Sequence, residues 1–593
     1  MKKPIKLLSL LLATVLLAGC ASNGSSNEPQ ESSEPKTSES SEESQESSSQ
    51  EGKSSSSQAG KSSSSSKSSS SSKASSSSKP TSIPAATEGE FSFDENALAA
   101  PQEIHTANQK KYLNLGIQYY HITETDLSNC GANGNTNVSA PNKVTVSWDY
   151  GVPSAKTVSK YQLVYGQKAD LSDGLTVEGS TAKSVSFYNP YIGDNYFKVI
   201  ANLSDGTKQE SAIKVFKVDG QAPRNIYAGN MPNVRDTGGR TTYAGGKIKQ
   251  GLIYRGAGNK FDNNSSINTE CQNILKNTLK IKTEINVANK TSNNINLSGV
   301  TVKNCYMNYG ATPYSNLARN AEKVRQVMDI LADETNYPVF YHCRIGTDRT
   351  GITGMMIGGL LGIPFNEVFQ DYCFSNFAPI DGKRYPNKPS DPNGDDPAKY
   401  IDEILAMPGA TYQEQTYNAL LSIGCKAEKL NKIIDIMTEG NKADLSIKGA
   451  VATGNDITSD GSKKTATNYY NPDTYYECGS GKKVSMSSTF TAGEKDVVVY
   501  LGNTDSNKST KLANCITLKI DGVEKTISNT KTLYTAGFGK TDASQGDSRT
   551  GYMFNLLGKY DFTAGNHTVE ISVKSGTFYF GTIAVFDHVT PAA

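Results

Sequence analysis

The stretch that decides the reading is Tyr341-His342-Cys343-Arg344-Ile345-Gly346-Thr347-Asp348-Arg349-Thr350-Gly351. It follows the apolar run Val339-Phe340-Tyr341, which reads as a buried strand, and it opens residues 350–361, which show helical spacing. A cysteine and an arginine five residues apart, placed at a strand-to-helix turn, make a loop able to wrap one tetrahedral dianion. Backbone N–H groups across residues 344–349 can point inward as a nest, with the positive end of the helix dipole beneath them. Arg344, Ile345, Gly346 and Thr347 are therefore the expected anion-binding positions. Arg349 closes the ring with a planar fork that matches two phosphate oxygens. The same surroundings favour thiolate over thiol at Cys343. A thiolate aimed at a cradled phosphorus points to in-line attack and a phosphocysteine intermediate. Thr350 can donate to the sulfur as it leaves, and His342 is expected to order the loop through side-chain hydrogen bonds. The chemistry calls for no metal and no cofactor, because N–H groups and Arg349 supply the charge stabilisation.

The stretch resembles the signature HCxxGKDRTG of bacterial lipoprotein-type tyrosine and dual-specificity phosphatases. Three further blocks occur in that family's order. Asn233-Val234-Arg235-Asp236-Thr237-Gly238-Gly239 resembles its N-F-R-D-L-G-G opening, and Leu252-Ile253-Tyr254-Arg255-Gly256 resembles its L-Y-R-S segment. Asp371-Tyr372-Cys373-Phe374-Ser375-Asn376 resembles its D-Y-L-x-S-N block. The resemblance implies a cysteine-dependent phosphomonoesterase over residues 223–440. Two departures stand out. Thr347 occupies the place of the family's loop lysine, and Ile285-Asn286-Val287-Ala288 replaces its I-D-L-R block.

A leaving phenolate calls for a proton from a nearby carboxylic acid. Between Glu284 and Asp329 the chain has no aspartate, and residues 305–313, where a mobile acid-bearing loop is expected, carry no carboxylate. Asp348, inside the loop, is the leading candidate, with bracing of the loop or of Arg349 as its alternative role. Asp236 is a third candidate, for which an Arg235–Asp236 brace is the expected role. Phenolic leaving groups need less protonation than alkyl ones, so a missing acid favours phosphotyrosine-like esters.

Outward from this core the chain is modular. It has 593 residues, nearly balanced charge (60 Lys+Arg against 59 Asp+Glu) and 36% hydrophobic residues. That balance argues against a general nucleic-acid binder. The 9 cysteines include no CxxC pair, which excludes a dense disulfide scaffold and a zinc ribbon. No apolar run long enough to span a bilayer follows position 20, which excludes a polytopic membrane protein. Residues 1–20 carry Lys2, Lys3 and Lys6, a short apolar run, and then Leu17-Ala18-Gly19-Cys20, which looks like a lipobox. Cys20 is the expected lipidation site, and the expected location is the outer face of a bacterial cell membrane. Residues 21–88 are Ser-rich and read as a disordered tether.

Residues 89–139 have no clear pattern, although Phe91, Phe93 and Tyr112 suggest packing on a neighbour. Residues 140–221 alternate at period 2 and resemble a fibronectin type III sandwich, with Trp148 in an early strand and Tyr196 near the F-strand position. Residues 223–440 read as α/β. Residues 446–593 return to β, and Thr563-Ala564-Gly565-Asn566-His567-Thr568-Val569 looks like the strand lead-in of galactose-binding-like carbohydrate modules. Tyr469, Tyr470, Tyr475 and Tyr476 there offer rings that sugars stack on. Cys478 and Cys515 are a possible disulfide pair.

The fold class expected is thus a central α/β cysteine-phosphatase domain between two β-sandwiches, after a disordered tether. The function expected is a surface lipoprotein phosphatase of phosphomonoesters, phosphotyrosine above all. A phosphatase of inositol phosphates is the second reading, favoured if Arg344, Lys247 and Lys249 line one basic pocket. The third is a wall-adhesive protein whose phosphatase-like domain only binds anions. Expected partners are a phosphorylated protein or small phosphomonoester, a glycan at the C-terminal domain and the membrane through the anchor, with no nucleic acid.

Overall fold

The computed structural model describes residues 82–135, 140–262, 265–288, 290–307, 317, 320–386, 404–465, 474–503, 511–528 and 551–589. All belong to the second of two compact units, Ser78–Ala593. Cys20, the Ser-rich tether up to residue 81, residues 308–313, Tyr469 and Tyr470 lie outside the described residues.

The first β-rich segment forms around strands Val158–Gly166, Gly193–Leu203 and Lys214–Asp219, which pair antiparallel, with Leu175–Glu178 at one edge. Val144–Ser147 pairs with Ser184–Phe187 in a separate ladder. Period-2 alternation sends Phe197, Val199 and Ala201 inward, and all three are fully buried. Trp148 is buried beside Tyr161, with ring centroids 5.2 Å apart. Tyr196 sits partly exposed on the outward face of strand Gly193–Leu203, because Asn195 and Phe197 on either side of it take the inward positions.

The central segment carries a six-stranded sheet in the order Arg224–Asn225, Arg235–Asp236, Ile253–Gly256, Val339–His342, Thr283–Asn286, Thr301–Asn304. The last four run parallel, so their C-terminal ends share one edge, with Gly256 and Asn286 both in register with His342. The middle strands are buried at every position; Ile253-Tyr254 and Val339-Phe340-Tyr341 accordingly read as short apolar runs without alternation, whereas Thr283–Asn286 buries three polar side chains. Helices Ala321–Leu331, Asp348–Leu360, Phe365–Phe374, Tyr412–Ser422 and Ala427–Met437 accompany the sheet. Two of these, Phe365–Phe374 and Tyr412–Ser422, escape sequence periodicity. The second buries Gln413, Gln415 and Thr416 as well as Leu420 and Leu421, so no polar stripe marks it.

The C-terminal segment is two antiparallel sheets. Phe578–Asp587 and Gly493–Asn503 are central in one, and Lys483–Phe490, Gly565–Val573 and Ile516–Ile520 form the other. Val497, Val499 and Leu501 face the core between the sheets. Val498, Tyr500, Ala584 and Phe586 face the other way and join the same apolar core as the central helices. The unbroken run 497–501 therefore reflects a strand buried on both faces. Cys478 and Cys515 are both buried free thiols in this sandwich, so the pairing considered from sequence does not form.

The unassigned segment, over its described residues 89–135, is a strap across two neighbours. Phe91–Ser92 pairs with Asp149–Tyr150, and Gln102–Glu103 pairs in parallel with Lys214–Asp219 of the first sandwich. Helices Ala107–Leu113 and Glu124–Asn129 then pack on the central segment, each started by a threonine capping box at Thr106 and Thr123. Tyr112 is fully buried there, and its hydroxyl donates to the Gln370 carbonyl at 2.8 Å.

Candidate active site

Cys343 follows directly on strand Val339–His342 at the shared C-terminal edge of the parallel strands, where ligands of open α/β sheets bind. Its side chain is buried, 2% exposed. Five residues later, helix Asp348–Leu360 begins with Thr347 at its N-cap position. Gly346 sits between them at φ +73°, and a Cβ there would fall 2.4 Å from the Gly256 carbonyl carbon. Only glycine passes that point without strain.

The loop is held by its carbonyls. His342 Nδ1 lies 2.9 Å from the Cys343 oxygen, and Gly258 N–H donates to the Arg344 oxygen at 3.0 Å. Asn233 Nδ2 donates to the Ile345 oxygen at 3.1 Å, and Arg255 Nη2 donates to the Gly346 oxygen at 2.9 Å. Four successive carbonyls are thereby turned outward. The N–H groups of residues 344–348 donate to no acceptor among the described residues. Unsatisfied N–H groups beside a helix N-terminus are the kind of arrangement that backbone anion sites are built from. Arg349 and Thr350 lie in the first turn of that helix, both buried, and the Thr350 hydroxyl has no hydrogen-bond partner among the described residues.

The other expected site residues take definite places. His342 is fully buried, and its Nε2 lies 2.9 Å from Glu284 Oε1. Glu284 also accepts from the N–H groups of Ile295 and Asn296, at 2.8 and 3.1 Å. Sequence reasoning missed it, although a lone carboxylate inside the strand run Thr-Glu-Ile-Asn is itself a signal of a buried partner. Arg344 lies at the rim and is about a third exposed. It donates to the Phe261 carbonyl and pairs with Asp381 at 2.8 Å. Ile345 packs on Ala378 and Ile380. Thr347 is fully buried and accepts from Asn233 Nδ2 through its hydroxyl at 3.1 Å.

Asp348 is the first residue of the loop helix and is buried. Its carboxylate accepts from Arg384 Nε at 3.1 Å, and both side chains are largely buried. Asp236 is buried beside Arg224 at 2.7 Å and also accepts from the Gly238 and Gly251 N–H groups, so it is a structural anchor. The Arg235–Asp236 brace expected from sequence does not form. These residues are neighbours on one strand, and successive strand side chains point to opposite faces. Arg235 instead reaches Asp371 at 3.0 Å.

Other thiols are poor nucleophiles by position. Burial pushes the Cys271, Cys305 and Cys425 thiols up to about 12. Lys247 and Lys249 do not join Arg344 in one basic pocket. They line a cleft of about 470 Å³ with Leu252, Lys280 and Pro338. Those three residues precede the parallel strands, so the cleft lies at the sheet edge opposite Cys343.

Residues 226–437 match the family model described as tyrosine phosphatase family. The match covers the sheet from Arg235–Asp236 onward, the loop and the helices around it. No curated protein matches the chain. Among solved structures, the chain is similar to the core catalytic domain of the PP-IP phosphatase SIW14 from S. cerevisiae. Identity is 18% over 24% of this chain and 77% of that one, with a TM-score of 0.17. It is also similar to the CBM35 from Cellvibrio japonicus Abf62, at 12% identity over 24% of this chain and 94% of that one, TM-score 0.18. A third likeness is to the catalytic unit of the GH87 alpha-1,3-glucanase from Streptomyces thermodiastaticus strain HF3-3. There identity is 16% over 25% of this chain, the TM-score is 0.19, and only 27% of that chain's length is spanned.

Proposed function

We propose that the protein is a cysteine-dependent phosphomonoesterase acting on aryl phosphates, phosphotyrosine foremost, and that Cys343 is the nucleophile. The observation that carries this reading is the row of carbonyls at 343–346 held by outside donors, which leaves the N–H groups of residues 344–348 without an acceptor among the described residues, between Cys343 and the N-terminus of helix Asp348–Leu360.

In this mechanism the loop N–H groups and the Arg349 guanidinium hold the phosphoryl oxygens. The Cys343 thiolate attacks phosphorus in line, an S–P bond forms, and the P–O bond to the leaving group breaks. The departing phenolate takes a proton from solvent. Water then attacks phosphorus, inorganic phosphate leaves, and the thiolate returns with the Thr350 hydroxyl donating to it. With Asp348 engaged by Arg384, leaving groups that depart as stable anions are favoured, which places phosphotyrosine above phosphoserine.

The inositol-phosphate reading loses its support with Lys247 and Lys249 at the far sheet edge and Arg344 paired to Asp381. The binding-only reading is disfavoured by Cys343, Arg349 and Thr350 standing together at the cradle. Anchoring through Cys20 and a glycan at the C-terminal sandwich remain part of the proposal, on the sequence signals alone.

The test is hydrolysis of an aryl phosphate, a phosphotyrosine peptide and phytate by the full chain and by Cys343→Ser. Turnover of the first two that is lost on substitution supports the reading. Turnover that survives in Cys343→Ser overturns the assigned nucleophile, and phytate as the best substrate overturns the substrate class.

A further inference from the structure

We propose that Asp371 is the positioning residue that fixes the shape of the anion loop, acting through two arginine arms. The inference rests on the reading of that loop as the phosphate cradle. Asp371 lies in helix Phe365–Phe374, outside the loop and its helix. Arg235 donates to it through Nε at 3.0 Å to Oδ1, and through Nη2 at 2.9 Å to its backbone oxygen. Arg255 donates through Nη1 to Oδ2 at 2.6 Å.

Each guanidinium also reaches the loop. Arg255 uses Nη2 to hold the Gly346 oxygen. Arg235 uses Nη1 to hold the Asn233 side-chain oxygen, which turns the Asn233 amide toward the Ile345 oxygen and the Thr347 hydroxyl. One carboxylate therefore fixes three points on the loop by two planar forks, a task a flexible point charge such as lysine cannot perform. Asp371, Arg235 and Arg255 come from three separate sequence blocks, and this junction is where the blocks meet. Arg240 adds a third guanidinium, 3.6 Å from Asp371 Oδ1.

The charge state fits the role. Burial alone would raise the Asp371 carboxyl, but Arg235, Arg255 and Arg240 together hold it well below the usual carboxylate range. Burial, then the neighbouring Arg255, lowers Arg235 to about 10, which still leaves it charged at neutral pH. The carboxylate is the counter-charge that lets two buried guanidiniums stand side by side behind the loop.

Asn233 gives the cleanest test, because its backbone sits at φ +64°, which glycine adopts without strain. Asn233→Gly removes the arm to Ile345 and Thr347 while leaving the buried charges in place. Asp371→Asn removes the shared counter-charge. For each full-length variant, kcat on an aryl phosphate is measured beside the urea midpoint and the affinity for inorganic phosphate by calorimetry.

The expected result for Asn233→Gly is a near wild-type urea midpoint, with kcat and phosphate affinity both reduced by about 10–100-fold, as befits an oxyanion cradle displaced by a fraction of an ångström. Asp371→Asn is expected to show the larger loss. A folded Asn233→Gly protein with wild-type phosphate affinity and kcat overturns the inference, whether or not Asp371→Asn folds. Weakened phosphate binding in a chain without turnover would uphold the loop's positioning and overturn the hydrolase reading instead.

Discussion

Arg384 Nε donates to the Asp348 carboxylate at 3.1 Å, joining the first residue of the loop helix to a segment that the N-terminal strap holds in place. Asn376 fixes Arg384 from both sides, donating to its carbonyl and accepting from its N–H, each at 2.7 Å. Gly134 of the strap donates to the Asn376 carbonyl at 2.8 Å and accepts from Ile380 N–H at 2.7 Å. The loop is thus supported from outside the sheet by residues that precede it by more than a domain's length of chain.

On the proposed reading Asp348 acts as a brace through Arg384, and the leaving group tells that role from a proton donor's. Asp348→Asn should lower kcat by one common factor, about tenfold, across aryl phosphates of different leaving-group acidity. A proton donor would instead contribute about 10²–10⁴-fold, concentrated on poor leaving groups. Plots of log kcat against leaving-group pKa for wild type and variant check this, and a changed slope would restore Asp348 as the acid.

Gly346→Ala should abolish turnover and destabilise the protein. The left-handed backbone alone costs an L-residue about 1–2 kcal/mol, and the added Cβ would also meet the Gly256 carbonyl carbon at 2.4 Å. Urea denaturation with an activity assay on the same samples measures both losses.

Glu284→Ala should be more harmful than its distance in sequence from Cys343 suggests. It leaves the His342 ring and the Ile295 and Asn296 N–H groups without their acceptor. Each orphaned buried donor costs about 1–3 kcal/mol. A lowered urea midpoint with weaker inorganic phosphate inhibition is the expected outcome.

Tyr112→Ala tests the strap. Emptying a fully buried aromatic site costs about 3–5 kcal/mol, and here it also removes the donor to Gln370. Hydrogen exchange should quicken in residues 376–385, and kcat should fall with it. Unchanged exchange there would show that the strap does not support the loop.

In the C-terminal sandwich, His567 Nδ1 lies 2.6 Å from Asp521. The hydrogen bond that the ring donates to the Asp521 carboxylate raises the His567 ring above its usual value. The Thr568 N–H, then His567 itself, holds the Asp521 carboxyl below its own usual value. A raised histidine stabilises below its unfolded value of about 6.5 and loses that contribution as pH rises through the folded value. A lowered aspartate stabilises above about 3.9 and loses its contribution as pH falls through the folded value. The pair therefore adds most between about pH 4 and pH 6.5. Exchange protection of strand Gly565–Val573 should be higher at pH 6 than at pH 8.5 in wild type, and this difference should vanish in Asp521→Asn.

The chemistry of the loop was legible because it is local: Cys343, Gly346, Arg349 and Thr350 sit within eight residues, and the strand and helix around them have ordinary patterns. What holds the loop was not. Arg235 finds Asp371 across 136 residues, and Asp348 finds Arg384 across 36, distances at which pattern carries no pairing information. The strap escaped for a different reason. Its helices run 5 to 7 residues, too short to stand without their neighbours, so no stable periodicity marks them. Tyr412–Ser422 was hidden by burial all round, which erases the contrast that makes a helix visible in sequence.

Val498, Tyr500, Ala584 and Phe586 of the last sandwich share a core with Tyr112 and Leu127 of the strap and with the helices between them. A fragment trimmed to the limits of residues 226–437 would expose greasy surface at both cuts and be expected to precipitate. Replacing the last sandwich by an unrelated module would likewise strip the central helices of the apolar side chains that cover them.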